Sequence, residues 1–104
     1  MLKLIPNPTF KQKVKIMAPG GAEHEVTLEF KHHTKDEMEA LFKSEAWKSG
    51  NDVDNVMAIA VGWEGVEAPF NAASVATLFQ HYQSAPAVFV SEFVTGQVGA
   101  KLGN

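Results

Sequence analysis

The densest cluster of ionisable groups in the chain is His32-His33-Thr34-Lys35-Asp36-Glu37. Two imidazoles followed closely by two carboxylates could hold a divalent metal or pass a proton between acid and base. The spacing argues against both. Strand parity sends His32 inward and His33 outward, while Asp36 and Glu37 fall in the first turn of a helix, where the dipole favours carboxylates in any case. No H-E-x-x-H pair places two imidazoles on one helical face. His24 is expected on the core face near Ile16, as a partly buried and satisfied histidine. A metal-binding protein would need His24, His32, His33 or His81 to gather.

The remaining candidates fail on spacing. Asp52-Val53-Asp54-Asn55 starts like a calcium loop, but Val56 and Met57 stand where a ligand and a glycine are required. Ser74, Ser84 and Ser91 lack the G-x-S-x-G context of a nucleophile elbow. Gly20-Gly21 has neither the spacing nor the Lys-Ser/Thr ending of a phosphate loop. No catalytic, cofactor-binding or metal-ligating residue is assigned, and the reading is of a protein that is not an enzyme.

Composition narrows the class. A chain of 104 residues, 45% apolar and 20% charged, is expected to form one small folded domain. Its net charge is −3 and all nine basic residues are lysines, so no guanidinium fork exists for phosphates or guanine edges. Nucleic-acid binding is disfavoured. The absence of cysteine removes disulfides and thiolate chemistry and fits a reducing cytoplasm. Met1 to Phe10 is too short and proline-broken for a signal peptide, and no run of eighteen apolar residues suggests a membrane span. The chain is expected to be soluble and unprocessed.

The elements follow from periodicity. A leader, residues 1–9, is set apart by Pro6-Asn7-Pro8. A hairpin over 10–32 then alternates Phe10, Gln12, Val14 and Ile16 against Lys11, Lys13 and Lys15, turns at Pro19-Gly20-Gly21, and resumes with His24, Val26, Leu28, Phe30 and His32 on one face. Centring it on Gly20 pairs Phe10 with Phe30, Lys11 with Glu29, Val14 with Val26 and Lys15 with Glu25. A slip of one residue would turn the apolar face to water. The lysine row reads first as a solvated face and second as an acidic-partner or phosphate patch.

A helical part over 34–95 should hold about four helices, giving an α+β fold in a single domain. Thr34 and Glu37 form a capping box for the first, which buries Met38, Leu41, Phe42, Ala46 and Trp47 and ends at Gly50-Asn51. Asp52 caps a second, central helix carrying Val53, Val56, Met57 and Ala60 and running through Ile59 and Val61 to Gly62. Asn71 opens a third with Val75, Leu78, Phe79 and Tyr82. The segment after Ser84 mixes strand-forming valines with a proline in a helical first turn; it is read as helix, with strand as the alternative. Residues 96–104 are expected to be a flexible tail.

Trp63 and Phe70 bracket the turn between the second and third helices. They could line a cleft, but a cleft needs convergent polar groups, and only Glu64 and Glu67 are at hand. Gly62, Trp63, Phe70 and Asn71 are therefore expected to form a structural joint, with Gly62 as a left-handed cap and Asn71 as an N-cap.

Taken in order, Leu2-Lys3-Leu4-Ile5-Pro6-Asn7-Pro8-Thr9-Phe10-Lys11, the Pro19-Gly20-Gly21 hairpin, Phe30-Lys31-His32-His33-Thr34, Asp52-Val53-Asp54 with its apolar helix to Gly62-Trp63, and Phe70-Asn71 resemble the tail assembly chaperones of long-tailed bacteriophages. The resemblance spans residues 2–95. It implies a non-catalytic phage or prophage protein of the host bacterial cytoplasm that coats the tape measure protein, helps bring major tail tube subunits to it, and is absent from the mature virion. It also implies a longer form made by ribosomal frameshifting. The Val- and Gly-rich C-terminal segment departs from the expected polar ending, of which Lys101 and Asn104 keep only a trace.

A chaperone for a long helical partner needs apolar area presented reversibly, and a helix laid in a groove is the natural mode. After the core has used Val56, Met57, Leu41, Phe42 and the inner hairpin face, the surplus apolar groups are Val88, Phe89, Val90, Phe93 and Val94, with Tyr82 and Met38 as weaker candidates. The same residues could instead close the monomer core. Self-association, and a generic phage interaction module without a tape measure partner, stay open as alternatives.

Overall fold

The computed structural model describes residues 1–99; the expected tail, with Lys101 and Asn104, lies outside the described residues from position 100 onward. Strand β1 (Thr9–Met17) and strand β2 (Glu23–Lys31) form the hairpin. Their register pairs Phe10 with Phe30, Lys11 with Glu29, Val14 with Val26 and Lys15 with Glu25, the alignment that both faces require. The turn closes with Gly21 N–H donating to Ala18 O at 2.9 Å. Gly20 and Gly21 hold φ of 90° and 95°, a region in which a Cβ would be strained.

The helical part differs from expectation at two places. Helix α1 (Lys35–Lys43) begins at the Thr34–Glu37 capping box, with Thr34 N–H on Glu37 Oε1 at 2.8 Å and Glu37 N–H on Thr34 Oγ1 at 3.1 Å. It stops at Ser44, whose backbone is extended, and a separate short helix α2 (Glu45–Ser49) follows. Ser44 Oγ donates to Leu41 O at 2.7 Å and accepts from Trp47 N–H, so its hydroxyl serves both helix ends instead of letting the helix run through. The first helix is thus two, and the total among the described residues is five. Ala46, expected on the buried side, is exposed.

The second difference is a strand where a helix was expected to continue. Helix α3 (Asp52–Ile59) is capped by Asn51, not Asp52, and ends with Ala60 extended. Residues Ala60–Glu64 form β3, antiparallel to β2, in a sheet of order β1-β2-β3. Its register sets Leu28 against Trp63 and Phe30 against Ala60, with a bulge between Glu29 and Phe30. An apolar run such as Ile59-Ala60-Val61 suits a buried helix or a strand equally, and the free edge of β2 decides by supplying backbone partners. Gly62 is accordingly a strand residue and caps nothing.

Helix α4 (Ala72–His81) has Asn71 as its N-cap, and helix α5 (Ala85–Gln97) replaces the strand alternative. It extends through Gly96 and Gln97, so these two residues belong to the helix and not to the tail. The core gathers Val14, Ile16, Val26, Leu28 and Phe30 from the sheet with Val56, Ile59, Ala60, Val75, Ala85, Phe89 and Phe93. Among the described residues no helix is long and apolar enough to cross a membrane.

Candidate partner-binding groove

The histidines divide between the two ends of the hairpin. At the far end from the turn, Gln97 Nε2 lies 2.9 Å from His32 Nδ1, while Gln97 Oε1 accepts from the His33 backbone N–H at 2.8 Å. His33, expected to point outward, is half-buried with its ring edge-on to Phe93 at 5.3 Å. It lies past the last residue of β2, so strand parity no longer sets its direction. At the turn end, His24 is more exposed than expected; its ring stands edge-on to Tyr82 at 6.5 Å. Asp36 and Glu37 remain at the start of α1, and the hydrogen bonds from Thr34 to Glu37 hold its carboxyl below the usual glutamate range. Among the described residues no three His, Asp or Glu side chains sit close enough to hold a metal ion.

The apolar residues of α5 also divide. Phe89 and Phe93 are 0% exposed and belong to the monomer core, which corrects the view that they are surplus to it. Phe93 packs on Phe30 at 5.4 Å between ring centres and Phe89 on Phe79 at 5.5 Å. The reason is the sheet. Its inner face needs a cover, and α5 supplies it by lying along β1, where Gln12 Nε2 donates to Glu92 Oε2 at 2.9 Å. Gly96 permits the close approach, since a Cβ there would stand 2.5 Å from Phe10 Cε2 and 2.9 Å from Gln12 Oε1. Val88, Val90 and Val94 are half-buried, as are Met38 on α1 and Tyr82 at the end of α4.

Tyr82 leads to a concavity at the molecular surface. At the turn end of the hairpin a groove of about 890 Å³ opens between the hairpin, the 65–68 loop and α4, with Ile16 and Val26, 2% and 5% exposed, buried at its floor. Its apolar lining includes Ile16 and Val26 from the sheet, Val66 from the loop, and Leu78 and Tyr82 from the helix, with His24, His81 and Glu67 among the polar lining residues. This volume lies within the ordinary range of ligand pockets.

Trp63 and Phe70 hold one wall of it. Their rings meet edge-on at 5.2 Å, and Trp63 Nε1–H donates to Ala68 O at 2.8 Å. The contact therefore joins β3 to the loop before α4, rather than one helix to the next. Neither ring lines the groove; together they fix the loop whose Val66, Glu67 and Ala68 do. Sequence reasoning named Tyr82 but not Val66 or Leu78 at this concavity, whereas Ile16 and Val26 are buried as their core pattern predicts.

A family model described as phage tail assembly chaperone matches residues 1–104. No curated protein and no solved structure matches the chain.

Proposed function

Since the chain belongs, over its whole length, to the phage tail assembly chaperones, we propose that it binds the tape measure protein through the groove between the hairpin, the 65–68 loop and α4. The observation that carries this reading is the half-buried apolar wall formed by Val66, Leu78 and Tyr82 above buried Ile16 and Val26, with no metal-holding cluster of His, Asp or Glu among the described residues. Such a lining accepts one apolar stripe of an amphipathic helix, the surface that a long helical partner must keep from water. Tyr82 and Leu78 act as the anchors. Binding is reversible and non-catalytic, so the chaperone is released as the tail matures and is absent from the virion.

Recruitment of tail tube subunits needs a second surface. The outer hairpin face offers one, with Lys11, Lys13 and Lys15 all exposed on the opposite side of the sheet from the groove. Lys11 is engaged by Glu64 at 2.9 Å, which raises its pKa by hydrogen bonding and charge attraction and keeps it cationic. Both steps take place in the host bacterial cytoplasm before the tail is complete.

Co-expression tests the reading. The wild-type chain should keep the tape measure protein in the soluble fraction and co-purify with it, and Leu78→Asp with Tyr82→Asp should lose both while retaining a wild-type circular dichroism spectrum. Tape measure protein held equally well by the folded double variant would overturn the assignment of the groove.

A further inference from the structure

At the end of the hairpin away from the turn, one side-chain amide holds two different neighbours. Gln97, half-buried in the last turn of α5, accepts the His33 backbone N–H on Oε1 at 2.8 Å and places Nε2 2.9 Å from His32 Nδ1. The backbone N–H can only donate, so the atom facing it must be the amide oxygen. Nε2 is then the atom facing His32, and an amide nitrogen also only donates. His32 Nδ1 must therefore accept, which requires an uncharged ring with its proton on Nε2. His33 is fixed the other way. Its Nδ1 lies 3.0 Å from Lys31 O, an oxygen that can only accept, so this nitrogen carries a proton. Two adjacent imidazoles are thus held in opposite tautomers.

A further proton has different consequences at the two rings. On His33 it enters at Nε2 and leaves the bond to Lys31 O in place. On His32 it enters at Nδ1, where donor then faces donor. Turning the amide over gives no relief, because Nε2 would then meet the His33 N–H. One of the two bonds is lost whichever way Gln97 turns. The surroundings do not keep the proton away. The Glu37 carboxylate at the start of α1 interacts with the charge of both rings, and the last turn of α5 holds no basic residue to occupy the negative end of its dipole. Lys31 on β2, and Lys35 and Asp36 on α1, are exposed to solvent, which screens them. On α5, Glu92 is engaged by Gln12, and the leader and β1 carry no titratable side chain between Lys3 and Lys11.

We propose that Gln97 is a proton-sensitive latch, which closes the end of α5 onto the hairpin while His32 is neutral and loosens it when that ring takes a proton. What the latch secures is the seam beside it. Gly96, the preceding residue, is drawn against Phe10, and Phe93, one turn earlier, meets the His33 ring edge-on. The latch goes beyond the proposed function, since it acts at the opposite end of the hairpin from the groove.

Nuclear magnetic resonance of the ¹⁵N-labelled full chain tests it. At about pH 7.5, where imidazoles are mostly neutral, the ring nitrogen shifts should show Nδ1 without a proton in His32 and with one in His33. Between about pH 7.5 and about pH 5.5, a range in which imidazoles ionise, protection of the His33 N–H, corrected for its intrinsic exchange rate, should fall about three- to tenfold, as for one lost hydrogen bond. His32→Ala and Gln97→Ala should each remove this step. Gln97→Glu should reverse it, because a carboxylate accepts from the His33 N–H and from a protonated His32 together. The same tautomer in both rings, a wild-type His33 N–H indifferent to pH, a step that survives His32→Ala, or a Gln97→Glu variant that loosens in acid would each overturn the inference. The tautomer measurement is made on the wild-type protein and so decides even if a variant fails to fold.

Discussion

The two ends of one sheet face behave differently. Away from the turn, Phe10, Gln12 and Phe30 are sealed under α5, with Phe93 packed on Phe30, Gly96 drawn against Phe10 and Gln97 bridging to His32 and His33. At the turn, Ile16 and Val26 belong to the same inward row of side chains, yet they form part of the lining of an open groove. The difference lies in what covers the face, since the residues of the sheet are apolar at both ends. One end is sealed by a helix; at the other Ile16 and Val26 are buried beneath half-buried Val66, Leu78 and Tyr82, the wall that the proposed function offers to a partner.

That contrast can be broken most forcefully at the sealed end. Phe89→Asp with Phe93→Asp removes two fully buried rings, each worth about 3–5 kcal/mol on truncation, and leaves carboxylates in their place. The sum reaches the whole stability of a small domain. Loss of the helical circular dichroism signal and of a cooperative thermal transition is expected, and a folded double variant would show that α5 is not the cover it is taken to be. Gly96→Val tests the same seam more gently. Its side chain would press on Phe10 and Gln12 and should cost about 1–3 kcal/mol in chemical denaturation.

Substitutions around the open end should cost less. Asn71→Ala removes the acceptor of the Ser74 N–H at the start of α4 and should cost about 1 kcal/mol, read from the same denaturation curves. Leu78→Asp, on the half-buried groove side of that helix, should change stability by about 1 kcal/mol, while abolishing the partner binding proposed above. An effect as large as that of Gly96→Val would mean that the groove is part of the core. The smallest effect is one of pH. The folded-state pKa of Glu37 is depressed by its hydrogen bonds from Thr34, so the capping box supports α1 fully above the ordinary glutamate pKa, and this support fades as pH falls through the lower folded value. Thr34→Ala should flatten that part of the stability-against-pH curve and leave the rest unchanged.

The hairpin was legible in the sequence, whereas its cover and the groove were not. Opposed lysines and glutamates on one hairpin face and apolar residues on the other admit a single register, so β1 and β2 followed from local pattern alone. The family resemblance read from the order of motifs is matched over the full chain. By contrast, β3 depends on the unpaired edge of β2, a partner 30 residues or more away in sequence that no window around Ile59-Ala60-Val61 contains. Counting apolar residues left over from the helices assigned Phe89 and Phe93 to a partner because the sheet's own need for a cover was not included. The groove is harder still to read, since it arises from how α4 and the 65–68 loop are set beside the turn end of the hairpin, a property of placement and not of residue type.

Hydrogen exchange on the complex with a soluble tape measure segment tests the central claim most directly. New protection is expected on the 65–68 loop, α4 and the turn end of the hairpin around Ile16 and Val26, with α1 and α2 unchanged. Protection confined to Lys35–Ser49, or to the lysine face of β1, while the groove exchanges as in the free protein, would contradict it.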